Sequence, residues 1–166
     1  SNTVAPLIPQ VNVLFFNQKR DILTSHNIRE ALGSAIDKKA LVENTLLGYG
    51  IEVNSPILAN YVNGFIDINN PTPFNTEHAK SLLEQEGWKT EEGNPFRVKG
   101  EGDTKKTLDI TITTVNQPES VLVASAVQEA WKNIGINASV KPIDPSSLRD
   151  ETFKNRSFDI FLGGIL

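Results

Sequence analysis

The sequence has 166 residues, 39% apolar and 22% charged, and its 16 Lys and Arg against 20 Asp and Glu give a formal charge of −4. A chain of this length buries roughly 70% of the surface its unfolded form exposes, enough for one core without metal or disulfide staples, so residues 1–166 are expected to form a single domain. Its apolar stretches, such as Val11 to Phe16 and Val121 to Val127, fall short of the roughly 20 residues that carry a helix across a bilayer, and no basic face offers itself to a phosphate backbone.

Residues 1–10 hold Pro6 and Pro9 and read as an extended tail. Val11 to Phe16 is rich in β-branched and aromatic residues and predicts a strand. Asn17 to Ser25 reads as a polar link. From Asn27, taken as the cap, Ile28, Ala31, Leu32, Ala35 and Ile36 recur at helical spacing. Asp37 is placed to cap a second helix through Leu46, ended by Gly48 in a Gly48-Tyr49-Gly50 turn. Residues 51–74, with Pro56, Pro71 and Pro73, show no period and are expected to be irregular.

Asn75 opens a helix carrying Ala79, Leu82 and Leu83, stopped by Gly87 with Trp88 packing back on its last turn. Phe96 and Val98 alternate with Arg97, which suggests a short strand in a hairpin with the next segment. In that segment, Thr107 to Thr114, Leu108, Ile110 and Ile112 alternate with polar residues, so one face is expected buried and one wet. Pro118 suits the first position of a helix carrying Val123, Val127, Ala130, Trp131 and Ile134 and closed by Gly135. Ile136, Ala138 and Val140 alternate again, so residues 107–140 predict a strand, helix, strand unit with parallel strands. Asp144-Pro145 starts a short helix, and Phe158 to Leu162 makes a last strand.

Catalytic signatures are sparse. There is no Cys, which removes thiol nucleophiles, disulfides and thiolate metal sites. There is also no Met, and the chain opens Ser1-Asn2-Thr3, so a processed or excised chain is expected, with the last strand reading as a cut through a larger protein. His26 and His78 stand far apart in sequence without an HExxH pattern, so no metal site or cofactor is expected. Ser25, His26 and Asp21 make a triad only on paper, since no GxSxG elbow or oxyanion loop accompanies them. Gly48-x-Gly50 and Gly100-x-Gly102 lack the third glycine of a phosphate loop. Glu91-Glu92 and Asp150-Glu151 read as solvated faces, and the triplets starting at Asn137 and Asn155 match a glycosylation pattern that arises often by chance. The residues alone describe an α/β domain with a mixed sheet, packed helices and no enzymatic signature.

Several segments, in order, resemble one family. Phe16-Asn17, then Asn27-Ile28-Arg29-Glu30-Ala31-Leu32, then Ala35-Ile36-Asp37-Lys38 and the Gly48 turn look like the signature of the extracytoplasmic solute-binding proteins of peptide and nickel ABC importers, family 5. Ala79 to Leu83 with Gly87-Trp88, Trp131 to Ile136, and Phe158-Asp159-Ile160 are similar to further segments of it. Each matching residue also has a scaffold explanation: Arg29 bridging or covering a helix face, Asp37 capping, the glycines ending helices. The resemblance covers the middle lobe only. It implies one lobe of a two-lobe periplasmic-binding-protein-like fold, extracytoplasmic as a periplasmic protein or a cell-surface lipoprotein anchored outside this chain.

By that resemblance the protein captures a peptide or peptide-like ligand between two lobes and delivers it to ABC permease subunits, with no chemical step and no cofactor. Ligands of α/β sheets sit beyond the carboxyl ends of strands, which here points to Asn116, Gln117 and Ser120, joined by Leu148, Leu162 and Gly163. In known oligopeptide binders an Arg near Leu162 meets the peptide carboxylate, and Leu162 departs from that pattern. Two other readings stay open: a ligand-sensing domain of a transcriptional regulator, and a hydrolase using Asp and His near the glycine turns.

Overall fold

A computed structural model describes residues 11–45 and 72–165. The predicted turn at Gly48 to Gly50 and residues 51–71 lie outside them. The first strand is β1 (Val11–Phe16), followed by three helices, α1 (Asp21–Thr24), α2 (His26–Ser34) and α3 (Lys38–Thr45). After α4 (Thr76–Gln85) come three short strands, β2 (Lys89–Glu91), β3 (Asn94–Lys99) and β4 (Lys106–Thr107). The chain then runs through β5 (Asp109–Val115), α5 (Pro118–Lys132), β6 (Asn137–Ile143) and β7 (Ile160–Ile165).

Two sheets result. The larger has the order β1-β7-β5-β6, with β5 parallel to both β6 and β7, and β1 antiparallel to β7. The expected parallel unit is therefore present: Ile110 lies beside Ala138 and Ile112 beside Val140. Register places Phe16, Ile160, Ile112 and Val140 in one row across all four strands. That face packs on the helices in one core with Ile28, Leu32, Leu83, Val127 and Trp131. Trp131 is fully buried, and its indole Nε1 donates to the Leu32 carbonyl at 3.0 Å, which joins α5 to α2. A buried indole N–H needs such an acceptor.

Capping follows the expectations at Asp37 and Asn75, whose Oδ1 atoms accept from the amides of Ala40 (3.0 Å) and His78 (2.9 Å). Gly87 ends α4 at φ +84°, and the Trp88 amide returns to the Leu83 carbonyl at 2.9 Å. At α2 the cap is Ser25, not Asn27. The helix starts earlier because the expected polar link contains a turn of helix, α1, and Ser25 Oγ accepts from the Ile28 amide. Asn27 is free to reach across to α4 and donates to Glu86 Oε1 at 2.9 Å. Arg29 covers the end of α1, with Nη1 donating to the carbonyls of Leu23 and Thr24.

The second sheet, β2-β3-β4, modifies the expected hairpin. Segment 107–114 gives only its start to β3, with Thr107 facing Val98 and the Leu108 amide donating to the Arg97 carbonyl at 2.9 Å, and from Asp109 the chain belongs to the larger sheet. Arg97, expected to alternate outward, is 2% exposed. Its Nε donates to the Ile134 carbonyl at 2.9 Å and its Nη1 to the Trp88 carbonyl at 3.0 Å, so one guanidinium satisfies the chain ends that leave α5 and α4. Gly135, at φ +90°, lets that side chain pass: a Cβ there would lie 2.8 Å from Arg97 Cγ.

The second face of β5 is not uniformly wet. Thr113 is buried, as is its neighbour Phe161 on β7, because β5 and β7 are interior strands. Phe158 packs edge-on against Phe161 with centroids 6.1 Å apart, so the connection from β6 to β7 covers part of this face. That connection holds the expected short helix at Pro145–Ser147 and a wide-turn helix at Arg149–Lys154.

Candidate ligand-binding edge

Parallel strands align their carboxyl ends. Val115 ends β5 level with Ile143 of β6, and Leu162 of β7 lies beside Thr114. Asn116 follows directly, exposed, with its amide donating to the Ile143 carbonyl at 2.7 Å. Gln117, also exposed, precedes α5 without capping it by a side-chain hydrogen bond, and Ser120 is half-buried in the first helical turn. The amino end of a helix with free amides carries a partial positive charge, and Glu119 stands beside it in the same turn. Gly163 is half-buried and faces Val13 of β1. Asn116, Gln117, Ser120 and Gly163 thus belong to one edge. Leu148 is half-buried in the connection that leaves β6 from the same edge.

Leu162 differs from the others. It is 3% exposed and packs into the core, while its carbonyl accepts from Thr114 Oγ1 at 3.0 Å. It presents no side chain beyond the sheet.

One feature of the edge is absent from the sequence reading. The ladder between β5 and β7 stops at Thr114 and Leu162, whereas that between β1 and β7 continues to Val11 and Ile165. β7 therefore outruns β5 on one side while staying paired on the other. The Leu162 carbonyl faces β5, and main-chain groups repeat their direction every second residue, so those of Gly164 face the side that β5 has left. Gly164 is exposed, and among the described residues no strand pairs with it there. Asn12, exposed and opposite Gly164, joins the same edge from β1. The glycine doublet in a strand was the one available signal, since it marks a place where another backbone can come close. The contribution of β1 had none, because its partner strand lies at the other end of the chain.

The chemistry elsewhere is structural. Ser25 Oγ is engaged as a cap, and His26 Nε2 lies 3.5 Å from Glu30 Oε2, so Ser25, His26 and Asp21 form no relay. His78 Nε2 meets the other oxygen of Glu30 at 2.8 Å. Glu91 pairs with Lys105 and Asp150 with Lys154. Asp144, just past β6, has its carboxyl held below the usual range by hydrogen bonds from the side chain and then the backbone of Ser146. Among the described residues no group of three or more His, Asp or Glu is placed to hold a metal ion.

Two residues of the resembling segments, Asn17 and Asp159, lie at the opposite end of the sheet. Asn17 is buried, donating from Nδ2 to the carbonyls of Phe158 (2.8 Å) and Arg156 (3.0 Å) and accepting the Lys19 amide on Oδ1. Asp159 accepts from Arg20 Nε at 2.6 Å and from the Thr111 amide at 3.0 Å. Both tie the amino end of β7 to its neighbours, Asn17 from the carboxyl end of β1 and Asp159 to Thr111 of β5.

Comparison with known proteins agrees with this scaffold. The family described as bacterial extracellular solute-binding proteins, family 5 Middle, matches residues 4–166. The oligopeptide-binding protein AppA of Bacillus subtilis (strain 168) is 32% identical over 157 residues, which is 90% of this chain and 27% of that protein. The nickel-binding protein NikA of Staphylococcus aureus (strain NCTC 8325 / PS 47) is 27% identical over 135 residues, 81% of this chain and 24% of that protein. The solved structure of the Bacillus subtilis AppA in complex with a nonapeptide superposes with a TM-score of 0.80 at 27% identity, covering 94% of this chain and 31% of that one. The chain spans about a quarter of the length of these relatives.

Proposed function

From a chain that belongs to the family 5 bacterial extracellular solute-binding proteins, we infer a lobe of an ABC importer's binding component that takes up an extended peptide or peptide-like solute. The observation that carries this reading is the main chain of β7 at Gly164, which no strand among the described residues pairs on the β5 side, at the same edge as Asn116 and Gln117. An extended ligand has the same donors and acceptors as the strand that is missing there, so it can pair in its place, and amide side chains at the rim can take up its remaining groups. Bare glycine lets that backbone come to hydrogen-bonding distance without displacing a side chain.

The relatives are about four times as long as this chain, which supports a second lobe, and the ends of β1 and β7 put it on one side. Val11 and Ile165 are paired at the carboxyl edge, so a lobe joined through both strands faces Asn116, Gln117, Ser120 and Gly163. Closing two lobes over a ligand removes it from water and lets many main-chain hydrogen bonds add up. The complete protein acts outside the cytoplasm, hands its ligand to the permease subunits and makes or breaks no covalent bond. The peptide-bound relative at 32% identity favours a peptide ligand.

Calorimetric titration of the intact two-lobe protein with a nonapeptide tests this. Binding is expected, and Gly164→Pro, which removes the outward amide, should weaken it about tenfold, the worth of one main-chain hydrogen bond made in a dry site. Unchanged affinity in Gly164→Pro overturns the proposed edge, and the absence of any peptide binding by the parent overturns the ligand class. The isolated chain should bind more weakly than micromolar, since one wall of the site is then missing.

A further inference from the structure

We draw no further inference here: the strongest candidate, the side-chain cluster of His26, Glu30 and His78 between α2 and α4, sets its two imidazoles on different oxygens of one carboxylate, and no three His, Asp or Glu side chains among the described residues are placed to hold a cation.

Discussion

The two sides of the main sheet are assembled in opposite ways. On one side β5, α5 and β6 are consecutive from Asp109 to Ile143, and the helix buries Val123, Ala124, Val127 and Trp131 as it returns the chain. On the other, β1 pairs with β7, so Val11 meets Ile165 from nearly the full length of the chain away. Closing a long loop carries more entropy loss than closing a short one, though the increase is slow. The distant pair is held by added polar contacts at one end, Asn17 on the turn before β7 and Asp159 on Arg20 and Thr111. The consecutive unit has side-chain contacts of its own, Asn137 on Asp109, Thr111 with Ser139 and Gln128 on the Ala138 carbonyl, but they join residues at most 28 positions apart. Two of the resembling segments, through Asn17 and Asp159, thus supply clamps of the distant pair, while the candidate ligand edge lies at the far end of the same strands.

The largest expected effect is on the consecutive unit. Trp131→Ala should lower unfolding free energy by about 4 kcal/mol, since it empties a fully buried volume and also orphans the Leu32 carbonyl. Urea denaturation measures it, and a loss below about 1 kcal/mol would show that the helix packing carries less of the fold than its burial indicates.

Asn17→Ala comes next, at about 3 kcal/mol, because the buried Asn17 side chain makes three hydrogen bonds, to the carbonyls of Arg156 and Phe158 and from the Lys19 amide, each worth about 1 kcal/mol. Its distinguishing readout is amide hydrogen exchange. Protection should fall first in residues 11–16 and 160–165, while β5 and β6 keep theirs; equal loss across all four strands would erase the contrast between the two sides.

Gly163→Ala should destabilise by about 2 kcal/mol, because an ideal Cβ there lies 2.4 Å from Cε1 of Phe161, a ring that is buried beside Phe158 and Phe15. Combining it with Phe161→Leu should recover part of the loss, and strictly additive effects would show that the ring is not the obstacle. The smallest effect is Arg20→Ala. Its side chain is 56% exposed, so despite the 2.6 Å contact with Asp159 the loss should stay near 0.5 kcal/mol and shrink further in high salt. A loss of 2 kcal/mol or more, read from thermal unfolding, would make this pair a clamp equal to Asn17.

Much of the local structure was legible. Asp37, Asn75, Pro118, Gly87 and Gly135 act where their chemistry places them, because a cap or stop works within one helical turn. Ser25 displaced Asn27 for a local reason too, a competing hydroxyl two residues earlier. Arg97 was not legible. Alternation predicts an outward side chain, and only the arrival of two helix ends beside β3 makes its burial favourable. The candidate edge was half legible: Asn116, Gln117 and Ser120 follow from reading a strand before a helix, whereas Asn12 and Gly164 require knowing which strand lies beside β7.

Periodicity, caps and turn residues settle within a few positions, where the interacting groups are already close along the chain, so helix stops, the parallel unit and the absence of a catalytic signature could be read from the amino acids alone. Strand order could not. Which strand β7 touches, how far it runs beyond β5, and whether Leu162 presents a side chain or only a carbonyl depend on contacts between residues far apart in sequence. Those contacts form only once the shared core has brought both ends of the chain together.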